Sequence, residues 1–154
     1  MDAVRLRRAL PTEAHAISDL AYRSKAYWGY DQAFLDRVRT QLTIRPERIR
    51  DGHVVVAERG GVLLGFYQVG GEPPDGELMD LFIEPDVIGA GLGRRLWEHA
   101  VQRARERGYR SLSLESDPNA EPFYLHMGAS RIGEREVSPG RWLPVMLVSL
   151  EETP

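Results

Sequence analysis

The chain has 154 residues, 42% of them hydrophobic and 28% charged, a balance typical of a globular protein with one packed core. Its formal net charge is -3 and its sequence pI is about 5.8, which argues against a nucleic-acid-binding module. It contains no cysteine, so disulfides, cysteine nucleophiles and thiolate metal sites are excluded.

The sequence shows no run of eighteen apolar residues and no signal-like N-terminus. We therefore expect a cytoplasmic protein with no membrane partner. The four histidines lie far apart and form no metal-binding spacing, so we predict no metal site.

The first half of the chain predicts a strand, two helices and a strand pair. Asp31 is a suitable cap for the second helix, and Gly60-Gly61 is typical of a hairpin turn. The predicted elements are a strand at 4–8, helices after Thr12 and after Asp31, and antiparallel strands at 53–58 and 62–69.

The stretch 77–104 predicts a strand, a glycine-rich turn and a helix. Residues 77–83 are rich in apolar side chains and are bounded by prolines, which suits a mostly buried strand. The following helix has an apolar face that repeats every four residues, formed by Leu92, Leu96, Ala100 and Ala104.

The last third predicts a strand at 111–115, a helix that starts with Asp117 as cap and Pro118 in its first turn, and closing strands at 129–137 and 142–150. The element order is therefore β-α-α-β-β-β-α-β-α-β-β. This order indicates an α/β (α+β) fold with a mixed sheet, and we expect a single domain over residues 1–154.

The glycines at 89, 91 and 93 lie at the N-terminus of this predicted helix, where unpaired N–H groups and the helix dipole favour an anion. They are equally compatible with a tight connection that has no ligand. A Walker loop is excluded because Lys25 is the only lysine, and a dinucleotide fingerprint is excluded because its third glycine is missing.

The motifs Leu81-Phe82-Ile83-Glu84-Pro85 and Ile88-Gly89-Ala90-Gly91-Leu92-Gly93 resemble the acyl-CoA signature of the GNAT superfamily of N-acetyltransferases. Ile88 departs from it, because the family usually has Gln or Arg there. The resemblance implies that acetyl-CoA contacts the backbone of the strand end and the glycine loop, at Leu81, Phe82, Ile83, Ile88, Gly89, Ala90, Gly91, Leu92, Gly93 and Arg94.

The segment 117–129 resembles the second signature of the same family, through Ala120, Phe123, Tyr124 and Gly128. Asp117 stands where the family usually has Asn, and Ala129 replaces the usual Phe. The resemblance implies acetyl-CoA contacts from Phe123 and Tyr124, with either Asn119 taking the role of the missing Asn or that contact being absent.

The resemblance further implies that Tyr124 protonates the departing thiolate. The alternative is a purely structural role for Tyr124, in core packing beside Phe123. The amine must also lose a proton. Asp80 is our predicted base, because a charge within an apolar strand lowers stability unless it has a partner, solvent contact or a function. The structural alternatives are an ion pair with an arginine, which is equally favoured, or a position at a solvent-facing edge. For Glu77 and Glu84 the structural interpretation is favoured.

In the family the first two helices wall the acceptor pocket. Aromatic residues there suit a cationic amine through cation–π contacts, although packing between the helices is an alternative for each of them. The predicted substrate-binding residues are Tyr27, Trp28 and Tyr30.

We therefore predict an N-acetyltransferase that moves an acetyl group from acetyl-CoA to a primary amine of a small molecule or peptide, by direct attack in a ternary complex. The alternative is a non-catalytic acyl-CoA-binding sensor or scaffold. A third interpretation, a nucleotide-binding α/β domain, would prefer ATP or dinucleotides to CoA. Homodimers are common in the family, but the sequence alone does not establish one for this chain. It also does not identify the acceptor amine.

Overall fold

The computed structural model of the protein describes residues 3–151. Its strands are β1 (Arg5–Arg8), β2 (Val54–Arg59), β3 (Val62–Gly70), β4 (Asp75–Ile83), β5 (Ser111–Glu115), β6 (Ser130–Ser138) and β7 (Arg141–Ser149). Its helices are α1 (Ala14–Ala26), α2 (Gln32–Val38), α3 (Pro46–Arg50), α4 (Leu92–Glu106) and α5 (Glu121–His126). Short 3₁₀ turns occupy Pro11–Glu13, Arg39–Leu42 and Pro85–Val87. The predicted element order is confirmed, with α3 as a short addition.

The strands form one seven-stranded sheet in the order β1-β2-β3-β4-β5-β7-β6. Strands β4 and β5 pair in parallel, whereas β1/β2, β2/β3, β5/β7 and β6/β7 pair antiparallel. The sheet is therefore mixed, and the predicted α/β fold class is confirmed.

The chain divides into two compact units. Strands β3 and β4 and helix α4 each belong partly to one unit and partly to the other. The first unit comprises the described parts of Met1–Gln68 together with Asp80–Leu96, and the second comprises Val69–Met79 with the described parts of Trp97–Pro154. The expectation of a single domain over 1–154 stays a prediction, and residues 1–2 and 152–154 of it lie outside the described residues.

The core of the first unit lies between α1 and one face of β2 and β3. Ile17, Leu20 and Ala21 recur at helical spacing on α1 and are fully buried there. They belong to the same apolar cluster as Val56 of β2 and Phe66 of β3, whose side chains point to that face of the sheet. The amphipathic pattern of α1 thus fixes which face of the sheet it covers.

Close packing in the second unit depends on a glycine. A Cβ at Gly76 would lie 2.7 Å from the ring of Tyr109 and 2.9 Å from Leu112, so only glycine fits at this point of β4. The hydroxyl of Tyr109 donates to the carbonyl of Gly71 at 2.5 Å. Tyr109 therefore supports both the start of β4 and the loop that precedes it.

One predicted helix start is confirmed and another is wrong. The carboxylate of Asp31 accepts from the N–H of Phe34 at 2.8 Å and caps α2 as expected. In contrast, α5 begins at Glu121. The Asp117 carboxylate instead accepts from the backbone N–H of Asn119 at 2.8 Å, which forms a separate turn before the helix.

Candidate active site

The glycine loop of the first unit has backbone conformations that favour glycine and open space beside them. Gly89 has φ +90° and Gly91 has φ +83°, backbone conformations that other residues rarely adopt. An added Cβ at either position would meet no atom within 4 Å, so neighbouring atoms do not explain the need for glycine there. The space above the loop is therefore open to an incoming group.

Helix α4 begins directly after this loop. Its first helical bond runs from the N–H of Arg95 to the carbonyl of Gly91 at 3.2 Å, so the N–H groups of Leu92, Gly93 and Arg94 precede the helical ladder. Arg94 and Arg95 are exposed in the first turn and add positive charge. Loop, helix dipole and arginines together suit the pyrophosphate of a coenzyme.

The strand before the loop offers backbone groups. The parallel ladder between β4 and β5 consists of three residue pairs and ends at Glu77, which pairs with Ser113. The residues predicted to contact acetyl-CoA through their main chain, Leu81, Phe82 and Ile83, follow the end of that ladder and are half-buried. Ile88, also predicted there, is 43% exposed and follows the 3₁₀ turn at Pro85–Val87.

Asp80 lies in the first unit on the face of β4 that α1 covers. Its neighbour at i+2, Phe82, packs against the core cluster that contains α1, and alternate residues of a strand share a face. The carboxylate of Asp80 accepts from Gln68 of β3, with 3.0 Å between Gln68 Nε2 and Asp80 Oδ2. This contact involves a neutral amide and not an arginine.

The other two candidate carboxylates contact or face arginines. Glu84 accepts from Nε of Arg23 on α1 at 2.6 Å, and this hydrogen bond raises the pKa of Arg23. The charge of Glu77 contributes to the raised pKa of Arg135, whose principal cause is a hydrogen bond to Glu115. The structural interpretation favoured for Glu77 and Glu84 agrees with these contacts.

The aromatic residues predicted to bind substrate follow the end of α1 in the first unit. Tyr27 and Trp28 are 52% and 43% exposed and meet edge to face at 5.3 Å between ring centroids. Tyr30 differs, because its ring stacks on Phe34 at 4.3 Å and the Lys25 ammonium lies 5.3 Å from its centroid. Tyr27 and Trp28 thus present open aromatic surface, whereas Tyr30 already has an aromatic and a cationic neighbour.

The second unit holds the predicted acid. Tyr124 of α5 is only 7% exposed, and its ring lies 5.8 Å from Trp97 of α4 and 5.1 Å from Phe123. Asn119 is exposed in the turn before α5, and its side-chain amide donates to Asp117 at 2.9 Å. Tyr124 is therefore held by aromatic rings on α4 and on its own helix.

Two residues that contact the candidate carboxylates, Gln68 and Arg23, were not predicted from the sequence. Gln68 carried a usable signal, because it is a polar residue inside the apolar run of β3. Arg23 carried no such signal, because an exposed arginine on a helix resembles any other surface charge.

Within residues 3–151 no three acidic or histidine side chains group as metal ligands, and no helix there has the length and apolarity to cross a membrane.

Comparisons with known proteins identify related sequences. The model of the acetyltransferase (GNAT) family matches residues 15–129. The 5-NmdU N-acetyltransferase of Pseudomonas phage PaMx11 is 28% identical over 131 residues, which cover 84% of this chain and 89% of the phage protein. The peptidyl-lysine N-acetyltransferase YjaB of Salmonella typhimurium is 44% identical over 63 residues, which cover 40% of this chain and 42% of YjaB.

The fold also has solved counterparts. The PaiA N-acetyltransferase of Thermoplasma acidophilum, crystallised with coenzyme A, superimposes with a TM-score of 0.79 at 14% identity, covering 96% of this chain and 99% of that protein. The family match extends over most of the chain and includes both motifs described above. The chain therefore belongs to the GNAT family of acetyltransferases and is an enzyme that transfers an acetyl group from acetyl-CoA to an amine.

Proposed function

We propose that the acceptor is a primary amine of a small molecule or peptide, which attacks acetyl-CoA directly in a ternary complex, with Asp80 as base and Tyr124 as acid. The attack forms the N–C bond of a tetrahedral intermediate. Collapse of that intermediate breaks the C–S bond and releases CoA thiolate. The amine proton leaves toward Asp80, and the thiolate receives the proton of Tyr124.

The position of Asp80 carries the assignment of the base. Its carboxylate stands within β4, on the face of that strand that α1 covers, and it accepts from Gln68 Nε2 at 3.0 Å. A charged side chain within an apolar strand lowers stability, a cost that a functional role explains. Glu84 lies after β4 and pairs with Arg23, which gives its carboxylate a structural role. We therefore assign Asp80 to accept the proton of the amine, directly or through water.

Burial supports the assignment of the acid. Tyr124 is only 7% exposed, and its ring is held between Trp97 and Phe123, which fixes the position of its hydroxyl. A phenol held in place beside the reacting sulfur can donate its proton to the thiolate as the C–S bond breaks. Removing the hydroxyl should slow transfer without weakening acetyl-CoA binding.

The first unit supplies the remaining contacts in this proposal. The loop at Gly89 and Gly91 receives the pyrophosphate, and main-chain groups of Leu81, Phe82 and Ile83 bind the pantetheine and polarise the thioester carbonyl. Arg94 adds charge beside the loop. Asn119 and Phe123 are further proposed contacts of the coenzyme, as the second family motif implies.

The exposed pair Tyr27 and Trp28 is the proposed contact for the acceptor. Aromatic faces attract an ammonium group before it loses its proton, by cation–π interaction. Tyr30 contributes less in this proposal, because Lys25 and Phe34 already contact or approach its ring. The names of two relatives give different acceptors, 5-NmdU and peptidyl lysine, so both 5-NmdU and a lysine-containing peptide belong in a screen.

The experiment is thiol release from acetyl-CoA with a panel of primary amines, followed by the Asp80→Asn variant on the best acceptor. We expect Asp80→Asn to lower kcat/KM by roughly 100-fold, because general base catalysis contributes about that much or more. Acetyl-CoA affinity, measured by calorimetry, should not change. Glu84→Gln is the matched control and should keep most of the activity. An Asp80→Asn enzyme as active as wild type would exclude Asp80 as the base.

A further inference from the structure

Gln68 is a buried polar residue in an apolar strand. It is 4% exposed, and the neighbouring side chains on β3 include the buried Phe66, Tyr67 and Val69. A polar side chain in such a place lowers stability unless it is hydrogen-bonded. Its amide donates to Asp80 across the sheet at 3.0 Å. The hydrogen bond thus joins a buried amide to the carboxylate that we propose as the base.

The contact belongs to a regular series between β3 and β4. Phe66 and Phe82 face each other two residues further along, with 5.8 Å between ring centroids. After two more residues the N–H of Glu84 donates to the carbonyl of Leu64 at 2.8 Å. Each step of two along β3 matches a step of two back along β4, as in an antiparallel pair. The position of Gln68 opposite Asp80 is therefore set by the backbone.

We infer that Gln68 is a positioning residue for Asp80, an inference that rests on the proposed role of Asp80 as base. A carboxylate rotates about its last torsion, so a hydrogen bond to Oδ2 defines where Oδ1 points. The amide of Gln68 achieves this through one donated hydrogen bond. Gln68 thus orients the carboxylate.

The test replaces Gln68 by methionine, which has a similar length and volume but no donor. The expected result is a fall in kcat of roughly tenfold, since misplacing a catalytic group by about 1 Å can cost more than that. The KM for acetyl-CoA should not change, because Gln68 acts on the base and not on the coenzyme. Gln68→Asn, which keeps an amide on a shorter side chain, provides a second variant if Gln68→Met does not fold.

The matched control is Gln102→Met. Gln102 also donates its amide to a carboxylate, that of Glu106 at 3.1 Å, but both residues are exposed on α4. This variant should keep wild-type kcat and KM. A loss of activity in Gln68→Met that is absent from Gln102→Met is then tied to the contact with Asp80, and not to the loss of a glutamine–carboxylate hydrogen bond in general.

A double-mutant cycle with Asp80→Asn separates the inference from the proposed function. If Gln68 acts through Asp80, the loss caused by Gln68→Met disappears in the Asp80→Asn background. The same loss in both backgrounds, or full activity of Gln68→Met beside an impaired Asp80→Asn, would overturn the positioning role alone. Full activity of Asp80→Asn would overturn the base role and the inference with it.

Discussion

The guanidinium of Arg23 on α1 lies 2.6 Å from the carboxylate of Glu84, at the C-terminal end of β4. The pair connects α1 to β4, the strand in which Asp80 lies four residues before Glu84. Arg23 is more than half exposed in its side chain, whereas that of Glu84 is largely covered. The ion pair is therefore partly exposed to solvent.

Breaking this pair should have a small effect on stability. Arg23→Gln and Glu84→Gln should each lower the free energy of unfolding by about 0.5 kcal/mol, because partly exposed ion pairs contribute little. The double variant should lose no more than either single one, as measured by urea unfolding. A loss several times larger in Glu84→Gln alone would indicate that its carboxylate supports the fold through other contacts.

The packing of β3 against β4 and α4 should depend on Gly65. A Cβ at this position would lie 2.9 Å from the carbonyl oxygen of Phe82 and 3.0 Å from Leu96, closer than side chains pack. Gly65→Ala should lower the free energy of unfolding by about 1–3 kcal/mol through overpacking. Gly133→Ala is the control, because an added Cβ there meets nothing within 4 Å. Equal melting temperatures for both variants would contradict the close packing.

Gly91→Ala should weaken acetyl-CoA binding. The φ of +83° costs an alanine about 1–3 kcal/mol in stability, and the shift that relieves it moves donors away from the pyrophosphate. Losing one hydrogen bond to a charged group corresponds to roughly a tenfold fall in affinity. Gly140→Ala, at φ +76° with open space around it, has the same backbone strain far from the loop in sequence. It should lose stability but keep its affinity, as calorimetry would show, and an equal loss in both would contradict a cradle at Gly91.

The acid stability of the protein should depend on Glu13. Its carboxylate accepts two hydrogen bonds from Arg7, at 2.9 and 2.8 Å, and these lower the pKa of Glu13 below its ordinary value of 4.5. A lowered folded pKa means that the stabilisation is complete above pH 4.5 and is lost as the pH falls through the folded pKa.

Glu13→Gln should therefore cost about 1 kcal/mol near neutral pH and progressively less below pH 4.5. Urea unfolding at a series of pH values measures the difference. In the Arg7→Met background the substitution at Glu13 should have little further effect. A constant difference between wild type and Glu13→Gln down to pH 3 would contradict this account.

Much of the architecture could be predicted because it is encoded locally. The four-residue repeat from Leu92 to Ala104 defines one face of α4, and the alternation of glycines before it defines the loop. Both features depend on neighbours in the chain. The family resemblance then assigned a ligand to the loop, and the family match confirms the resemblance.

The contact between Gln68 and Asp80 could not be predicted, because it depends on the register between β3 and β4. Gln68 and Asp80 are twelve residues apart, with a loop between them, and a shift of one residue would put them on opposite faces. The start of α5 was predicted too early for a different reason. Asp117 can cap a helix or bond within its own turn, and the turn with Asn119 is what forms.

The most direct test of the account is the rate of CoA release by Tyr124→Phe beside its affinity for acetyl-CoA. If Tyr124 donates the proton to the thiolate, kcat with the best amine falls by roughly 100-fold while the dissociation constant for acetyl-CoA stays within about twofold. Phenylalanine keeps the ring contacts with Trp97 and Phe123, and the melting temperature of the variant, measured in parallel, shows whether the fold is retained. An unchanged kcat would contradict the acid role, and a parallel loss of affinity and rate would mean that Tyr124 binds the coenzyme without taking part in the chemistry.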